Sequence, residues 1–385
     1  MNTFKFVGKI AKVEEKGEKK FIETKTFDSG WMIKRVKFRV TCGESSELVD
    51  VSGGKWTDDS KNVVYTLAVK DGSSNQKDVE KIQVKWVDRF KPEVIERIPK
   101  YKRYTVDLAS DNLREKYVTE KNDAALEAIS NTKFSYISQY DFAAKVEELI
   151  TSGAFGDANY VISGNVEWNY SPNKEGKLSY YRSFIPTNIY LADPSEAASM
   201  TGKIDFYYNK EDYMGETLEN GDTPVTGYVQ YYDSMAKSNY FAPVSVSLKN
   251  GYDRNDGFKK FFASEPEDGE DAQVMVVGLL VEYFSGAPKS QITFDDLSPK
   301  EQEMVEWGVK TLDEFIKEKG GSIYEQRVSR IYVTGISRGC TAPQNANVDL
   351  DVLDEKPSKD KKSAKTTATT KSAKTVTLLD DDDEI

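Results

Sequence analysis

Residues 31–41 read WMIKRVKFRVT, and their side chains alternate between two kinds of surface. One face of the segment holds Met32, Lys34, Val36, Phe38 and Val40, and the other holds Trp31, Ile33, Arg35, Lys37 and Arg39. A two-residue period rich in β-branched and aromatic residues predicts a half-buried β-strand. The three cations of the second face span about 14 Å at the rise of a strand. The segment therefore predicts a sheet whose outer face carries an aromatic ring and a row of positive charges, with no acid between them.

Similar strand patterns recur before and after this segment. They read FKFVGKIAKV at 4–13, ELVDVSGG at 47–54 (ending in a Gly-Gly turn), VVYTLAV at 63–69 and KIQVKWV at 81–87. Between residues 123 and 152 the apolar period lengthens and predicts two short helices, the second stopped by a glycine. Strand patterns resume with NYVISGNVEWNY at 159–170, and about five strands are expected up to residue 248.

The fold class that this order predicts is mainly β with α+β additions. A glycine within an apolar-x-Gly-x-apolar core recurs at 6–10, 162–166, 225–229 and 276–280, and a bent first strand is typical of small OB-fold barrels. We expect two OB-like barrels joined by a helical spacer. The predicted boundaries are 1–120 for a basic first barrel, 121–155 for the spacer, 156–250 for a Tyr-rich second barrel, 251–340 for a strand-helix-strand extension packed on it, and 341–385 for a disordered tail.

The extension contains a well-marked helix signal within FDDLSPKEQEMVEWGVKTLDEFIKEKGG at 294–321. Ser298 is the expected N-cap, Pro299 the first helical residue and Glu301 the partner in a capping box, and Gly320 follows the helix. The expected buried side consists of Met304, Trp307, Val309, Leu312 and Ile316.

Charge is distributed unevenly along the chain. The net charge is −11, yet residues 1–104 carry 23 Lys and Arg against 16 Asp and Glu, a net of +7. The remainder is acidic, which makes the N-terminal part the candidate for an anionic partner.

The last eight residues read LLDDDDEI and follow a Lys/Ser/Thr/Ala-rich stretch without aromatic residues. Such a composition predicts a disordered tether. An acidic run can serve solubility alone. A tethered polyanion can also occupy the protein's own basic groove until DNA displaces it, and can then dock on another protein. The candidate partner-binding residues are Leu379, Asp380, Asp381, Asp382, Asp383, Glu384 and Ile385.

Several classes of function are disfavoured by composition. Histidine is absent, which excludes Ser-His-Asp, Cys-His and HExxH chemistry, and neither phosphate-binding glycine motif occurs. The segment GYDRNDG at 251–257 lacks calcium-loop spacing and is interpreted as a polar turn. The two cysteines, Cys42 and Cys340, are expected to be free thiols. We expect no enzymatic activity, no metal and no cofactor.

Targeting signals are also missing from the sequence. It has no apolar run of eighteen residues and no signal-peptide pattern at its start, so a cytoplasmic location without a membrane partner is expected.

Proteins that bind single-stranded nucleic acid combine a cationic groove with aromatic surfaces on which bases stack. The candidate DNA-binding residues are Trp31, Ile33, Arg35, Lys37, Arg39, Lys9, Lys12, Trp56, Lys85 and Trp86. The alternative is a solvated sheet face with one core tryptophan. Twelve of the 22 tyrosines lie between Tyr160 and Tyr240, where they either stack on bases or fill a core.

These features together resemble a known family. The small-barrel pattern, the basic aromatic strand, the tether and the terminal DDDDEI resemble single-stranded DNA-binding proteins, especially those of bacteriophages and prophages. FKFVGKIAKV and DSGWMIKRVKFRVTCG (28–43) carry the same resemblance. It implies a protein that coats and protects single-stranded DNA in replication or recombination in the host cytoplasm, and a tail that recruits replication or recombination proteins. The chain is about twice as long as the compact bacterial type and ends in Ile rather than Pro-Phe.

Two other classes of function stay open. A structural or virion assembly protein could use the β-barrels as assembly modules. A nucleic-acid-processing enzyme would need a carboxylate metal cluster, for which EPEDGED at 265–271 is the dense candidate, although its irregular spacing is typical of a solvated loop.

Overall fold

A computed structural model describes residues 2–15, 20–73, 75–174, 176–266, 272–286, 294, 297–312, 314–315 and 328–357. In chain order the strands are β1 (Thr3–Lys12), β2 (Ile22–Thr26), β3 (Trp31–Cys42), β4 (Ser45–Trp56), β5 (Val63–Val69), β6 (Val79–Lys85), β7 (Tyr104–Asp107), β8 (Lys133–Tyr136), β9 (Asn159–Pro172), β10 (Leu178–Leu191), β11 (Ser199–Asn209), β12 (Thr223–Asp233), β13 (Ser238–Leu248), β14 (Val274–Gly286), β15 (Val328–Ile336) and β16 (Gln344–Asn345). The helices are α1 (Pro92–Arg97), α2 (Asp111–Thr119), α3 (Asp123–Ala128), α4 (Gln139–Thr151), α5 (Asn255–Phe262), α6 (Pro299–Glu306) and α7 (Leu350–Leu353). The described chain is mainly β, as predicted, and its strands form a large mixed sheet and a β5–β6 hairpin.

Strands β3 and β4 form a long antiparallel hairpin that confirms the predicted alternation. Val36, Phe38 and Val40 have no exposed surface, whereas Arg35 is exposed. The pairing runs without interruption from Trp31 opposite Trp56 to the tight turn after Cys42. β2 pairs with β3 along its other edge, and the end of β1 pairs with the Arg39 end of β3.

The predicted turn at Gly53-Gly54 is wrong, because β4 continues through both glycines to Trp56. A side chain on Gly53 would overlap the backbone of Tyr140 at the start of α4. A side chain on Gly54 would overlap the ring of Trp31. The two glycines therefore allow a helix and an indole ring to approach β4 closely.

The chain divides into two compact units. The first comprises the described residues of 1–167, 181–204 and 280–335, and the second comprises those of 168–180, 205–279 and 336 onwards. In the first unit β1 pairs with β9 along one edge, and with β11 and then β3 along the other. Phe4, Phe6, Phe184 and Tyr283 pack together here, with ring centroids between 4.7 and 6.0 Å apart.

The pairing of β1 bears on the two predicted barrels. β1 lies in the segment predicted as the first barrel, whereas β9 and β11 begin in the segment predicted as the second. The two segments therefore share hydrogen bonds within the first unit, and the two-barrel arrangement stays a prediction.

In the second unit β12 and β13 form a hairpin with continuous register from Thr223 opposite Leu248 to the turn after Asp233. Tyr208 is buried against Phe262 of α5, and its hydroxyl donates a hydrogen bond to the Phe262 carbonyl at 3.1 Å. Helix α5 begins inside the segment that was predicted as a polar turn.

Helices α3 and α4 confirm the two short helices predicted between residues 123 and 152. The hydroxyl of Ser138 caps α4, and Phe142, Val146 and Ile150 form its buried side. The face of β3 that carries Lys34 packs against this helix, since Lys34 forms an ion pair with Glu147.

The helix in the extension is shorter than predicted. Ser298 and Glu301 form the expected capping box, but α6 ends at Glu306, two residues before Gly308 adopts a left-handed φ of +66°. Trp307 and Val309 follow the helix and are 70% and 61% exposed, so their predicted burial is wrong. The predicted core residue Ile316 lies outside the described residues. None of the helices in the described ranges is long and apolar enough to span a membrane.

Candidate nucleic-acid interface

A groove of about 580 Å³ opens at the Trp31 end of the β3–β4 hairpin. It is lined by Trp31, Gly54, Trp56, Lys61, Asn62, Val63, Val64, Tyr65, Trp86, Tyr104, Ile137, Ser138 and Gln139. We call it the aromatic groove, because five of these residues are Trp or Tyr. Aromatic walls with a few polar groups are suited to a planar ligand such as a base.

Trp31 and Trp56 form the centre of the groove. They lie directly opposite each other in the hairpin, with ring centroids 5.1 Å apart in an edge-to-face arrangement. The amide N–H of Trp56 donates to Asn62 Oδ1 at 2.7 Å, and Asn62 Nδ2 donates back to the Trp56 carbonyl at 2.9 Å. The structure thus brings together two of the predicted aromatic residues and fixes the backbone of one.

The predicted site residues include only Trp31, Trp56 and Trp86 of the groove lining, and they miss Tyr65, Lys61 and Tyr104. Tyr65 on β5 is 73% exposed, and Lys61 lies just before the same strand. The alternation in VVYTLAV places Tyr65 on the opposite face from the buried Ala68. Nothing in the sequence indicates that this hairpin lies beside Trp31. Tyr104 also lines the groove. Its pKa is raised by burial, and a hydrogen bond with Gln139 opposes only part of this rise.

The cationic row consists of Arg35, Lys37 and Arg39, on the face of β3 that also holds Trp31. Arg35 and Lys37 have 53% and 40% of their side-chain surface exposed. Arg39 Nη1 donates a hydrogen bond to Ser46 Oγ at 3.0 Å. The row runs from the aromatic groove along the hairpin, as the alternation predicts.

No acid interrupts the cationic row within β3, but acids on both neighbouring strands lie opposite its cations. Glu23 on β2 lies directly opposite Arg35, with 3.8 Å between Oε1 and Nη1. Asp50 on β4 lies directly opposite Lys37, with 2.9 Å between Oδ2 and Nζ. Residues directly opposite in antiparallel strands share a face, so the register that forms the row also supplies its counter-charges.

The two predicted lysines of β1 lie on different faces. Lys9 is opposite Thr41 and therefore shares the face of Arg39, and its Nζ is 2.7 Å from Asp157 Oδ1. Lys12 is opposite Phe38, which points to the core side. Lys12 is therefore outside the cationic row.

Trp86 and Lys85 occupy the end of the β5–β6 hairpin. Trp86 is only 6% exposed, and the guanidinium of Arg89 lies 3.8 Å from its ring centroid. The Arg89 guanidinium over its ring argues against Trp86 as a stacking surface, although Trp86 lines the aromatic groove. Lys85 is exposed and lies opposite Val63, a groove residue.

The Tyr-rich segment alternates as predicted. Tyr231 is 8% exposed and packs near Tyr170 and Tyr180, whereas Tyr232 is 62% exposed. Most of these rings have aromatic neighbours, which supports the core-filling interpretation.

The predicted tail residues Leu379 to Ile385 lie outside the described residues, as does most of EPEDGED. Across the ranges that the structure describes, no three His, Cys, Asp or Glu side chains are placed to hold a metal ion.

Comparisons with known proteins give the following. No protein-family model matches the sequence, and no curated protein matches it. The structure is similar to that of the wild-type single-stranded DNA-binding protein from Thermus aquaticus, with 7% identity over 90% of this chain and 96% of that chain and a TM-score of 0.31. A deletion mutant of the same protein gives 5% identity over 88% and 95%, with a TM-score of 0.30. These TM-scores are too low to carry an argument, so the functional proposal depends on the geometry described above.

Proposed function

We propose that this chain is a non-enzymatic single-stranded DNA-binding protein. Its role would be to coat and protect single strands in phage replication or recombination in the host cytoplasm. The acidic tail would recruit replication or recombination proteins to the coated strand.

The observation that supports this proposal most is the placement of the aromatic groove beside the cationic row. Trp31 and Trp56 offer ring surfaces at one end of the hairpin, and Arg35 to Arg39 continue from there on the same face. Bases stack on aromatic rings whatever their sequence, and phosphates interact with Lys and Arg. A flexible single strand can satisfy both contacts, whereas a duplex hides the faces of its bases.

The proposal predicts salt-sensitive binding that depends on the cationic row. We would measure fluorescence anisotropy of labelled oligo-dT with the full chain, and with Arg35, Lys37 and Arg39 changed together to Glu. The slope of log affinity against log salt should fall by about 2, since each phosphate contact on a single strand contributes about 0.7. Affinity at low salt should fall on the order of a hundredfold or more.

A matched control carries the same change in charge elsewhere. Lys100, Lys102 and Lys116 are exposed and line neither the aromatic groove nor the row, and changing them together to Glu should affect binding much less. Equal losses of oligo-dT affinity in both variants would show that net charge alone causes the effect, and would contradict the assignment of the cationic row as a binding site. No binding by the unaltered chain, together with large oligomers, would favour the virion-assembly alternative instead.

A further inference from the structure

Asp50 occupies an unusual position in the middle of the cationic row. Its Oδ2 holds Lys37 at 2.9 Å, and only 20% of its side-chain surface is exposed. Its other oxygen, Oδ1, is buried and has no hydrogen-bond partner. An unpartnered buried carboxylate oxygen disfavours folding, which offsets part of what the ion pair with Lys37 contributes to stability.

A second carboxylate, that of Glu167, is affected by the charge of Asp50. Burial raises the pKa of the Glu167 carboxyl on β9, and the negative charge of Asp50 raises it further. Asp50 therefore interacts with two charged groups, since Lys37 is its ion-pair partner and Glu167 is affected by its charge. Asp50 thus compensates the charge of Lys37 in the middle of the row, and Glu23 lies 3.8 Å from Arg35 at the end nearer the aromatic groove.

This arrangement changes what the row can bind. A row of uncompensated cations binds any polyanion by releasing counterions, including duplex DNA. Because Asp50 compensates the charge of Lys37, the row attracts phosphates less strongly than three uncompensated cations would. A ligand that binds tightly must therefore also stack its bases in the aromatic groove. Specificity is a difference between affinities and is commonly built from a repulsive element.

We propose that Asp50, supported by Glu167, is a specificity-determining residue that disfavours duplex DNA and makes binding depend on unpaired bases. The inference rests on the proposed function, because it assumes that the hairpin face binds DNA. Neither Asp50 nor Glu167 is among the predicted DNA-binding residues.

The test compares the affinities of oligo-dT and of a duplex of equal length, measured by anisotropy at low salt. In the full chain, Asp50→Asn keeps the shape of the side chain and removes its charge. Duplex affinity should rise on the order of tenfold, and oligo-dT affinity should rise less, so that the preference for the single strand narrows. Adding Lys37→Gln to Asp50→Asn should remove the gain, because the released cation is then absent.

Two further variants keep the result interpretable. Glu167→Gln removes the second charge at a more exposed position and should also raise duplex affinity. It serves as the test variant if Asp50→Asn does not fold. Glu115→Gln on α2 gives the same change in net charge at an exposed position that lines neither the groove nor the row.

Three outcomes separate the two claims. A gain for duplex DNA in the Asp50 or Glu167 variants that exceeds both their gain for oligo-dT and the gain of the Glu115 control supports the inference. Binding of oligo-dT by the unaltered chain without any such gain overturns the inference and leaves the proposed function intact. No binding of oligo-dT by the unaltered chain overturns the proposed function itself.

Discussion

At the scale of single residues, the same type of side chain has different roles in different places. Trp31 and Trp56 line the aromatic groove, Trp86 is buried under Arg89, and Trp307 is exposed beyond the end of a helix. The sequence pattern of β3 locates Trp31 and the three cations correctly, because alternation along one strand is a local property. It does not locate Glu23 and Asp50 opposite them, because cross-strand register depends on turns and pairing that one strand does not encode.

Tyr65 gives a test of the groove that does not disturb the core. Its side chain is 73% exposed, so Tyr65→Ala should leave the melting temperature nearly unchanged. Loss of one stacking surface should weaken oligo-dT binding toward the lower end of about 1–3 kcal/mol, or roughly five- to tenfold. Tyr101→Ala is the matched control, since Tyr101 is 56% exposed and does not line the groove. Equal effects of both changes on anisotropy titrations would argue against a role for the groove.

At the scale of elements, the Gly53-Gly54 pair shows how the sequence signal and the structure diverge. Two adjacent glycines favour a turn on local grounds. Here they remain in β4, because tertiary packing places Tyr140 against one and Trp31 against the other. Local signals correctly predicted most strands, the glycine that follows α4 and the capping box of α6. They failed where the approach of a distant element decided the conformation.

The two glycines should respond differently to alanine. Gly53→Ala would collide with backbone at the start of α4, so we expect a large loss of thermal stability. Gly54→Ala would collide with the Trp31 ring, which can move aside, so we expect a smaller loss of stability and weaker oligo-dT binding. Melting temperatures and anisotropy of the two variants check this ranking. A Gly54 variant that is less stable than the Gly53 variant would be inconsistent with the packing described.

The loop after β10 is tied to α2 through Asp193. Asn112 Nδ2 donates to Asp193 Oδ2 at 2.7 Å, and the hydroxyl of Ser195 donates to Oδ1 at 2.5 Å. The Ser195 hydroxyl, Asn112 and the Ser195 amide lower the pKa of Asp193 to about 2.

This lowered pKa predicts a pH dependence with a definite sign. Because the folded state favours the ionised form, the stabilisation by Asp193 is fully present above its ordinary pKa of 3.8 and is lost as the pH falls toward about 2. Asp193→Asn should therefore lower the free energy of unfolding at pH above 5, with a difference that shrinks on acidification. Urea unfolding of both proteins across this range measures it, and a difference that grows on acidification would refute the assignment.

At the scale of the whole molecule, charge is segregated along the chain. Residues 1–104 carry a net of +7 and hold the cationic row and most of the groove lining, whereas the chain as a whole carries −11. The distribution of charged residues predicts this segregation, and the order of the strand patterns predicts the mainly β class. It could not predict which segments share a compact unit, since the first unit combines residues 1–167, 181–204 and 280–335. Such long-range pairing depends on contacts between segments far apart in sequence.

The tail provides a prediction at this scale. If the acidic block competes with DNA for the cationic row, a truncation ending at Thr377 should bind oligo-dT more tightly, with the largest gain at low salt. In a second variant, each of the four aspartates from Asp380 through Asp383 is replaced by Lys, which reverses the charge of the block. This variant should bind oligo-dT at least as tightly as the truncation. Affinity unchanged by truncation would leave the tail as a docking peptide alone.

The central claim is that single-stranded DNA stacks on Trp31 and Trp56. The measurement that tests it most directly is tryptophan fluorescence during titration with oligo-dT, for the unaltered chain and for a variant with Trp31 and Trp56 both changed to Phe. Base stacking quenches indole emission, so we predict saturable quenching in the unaltered chain and its loss in the variant, whose Trp86, Trp168 and Trp307 still emit. Quenching of equal size in both proteins, or binding without quenching in either, would contradict the claim.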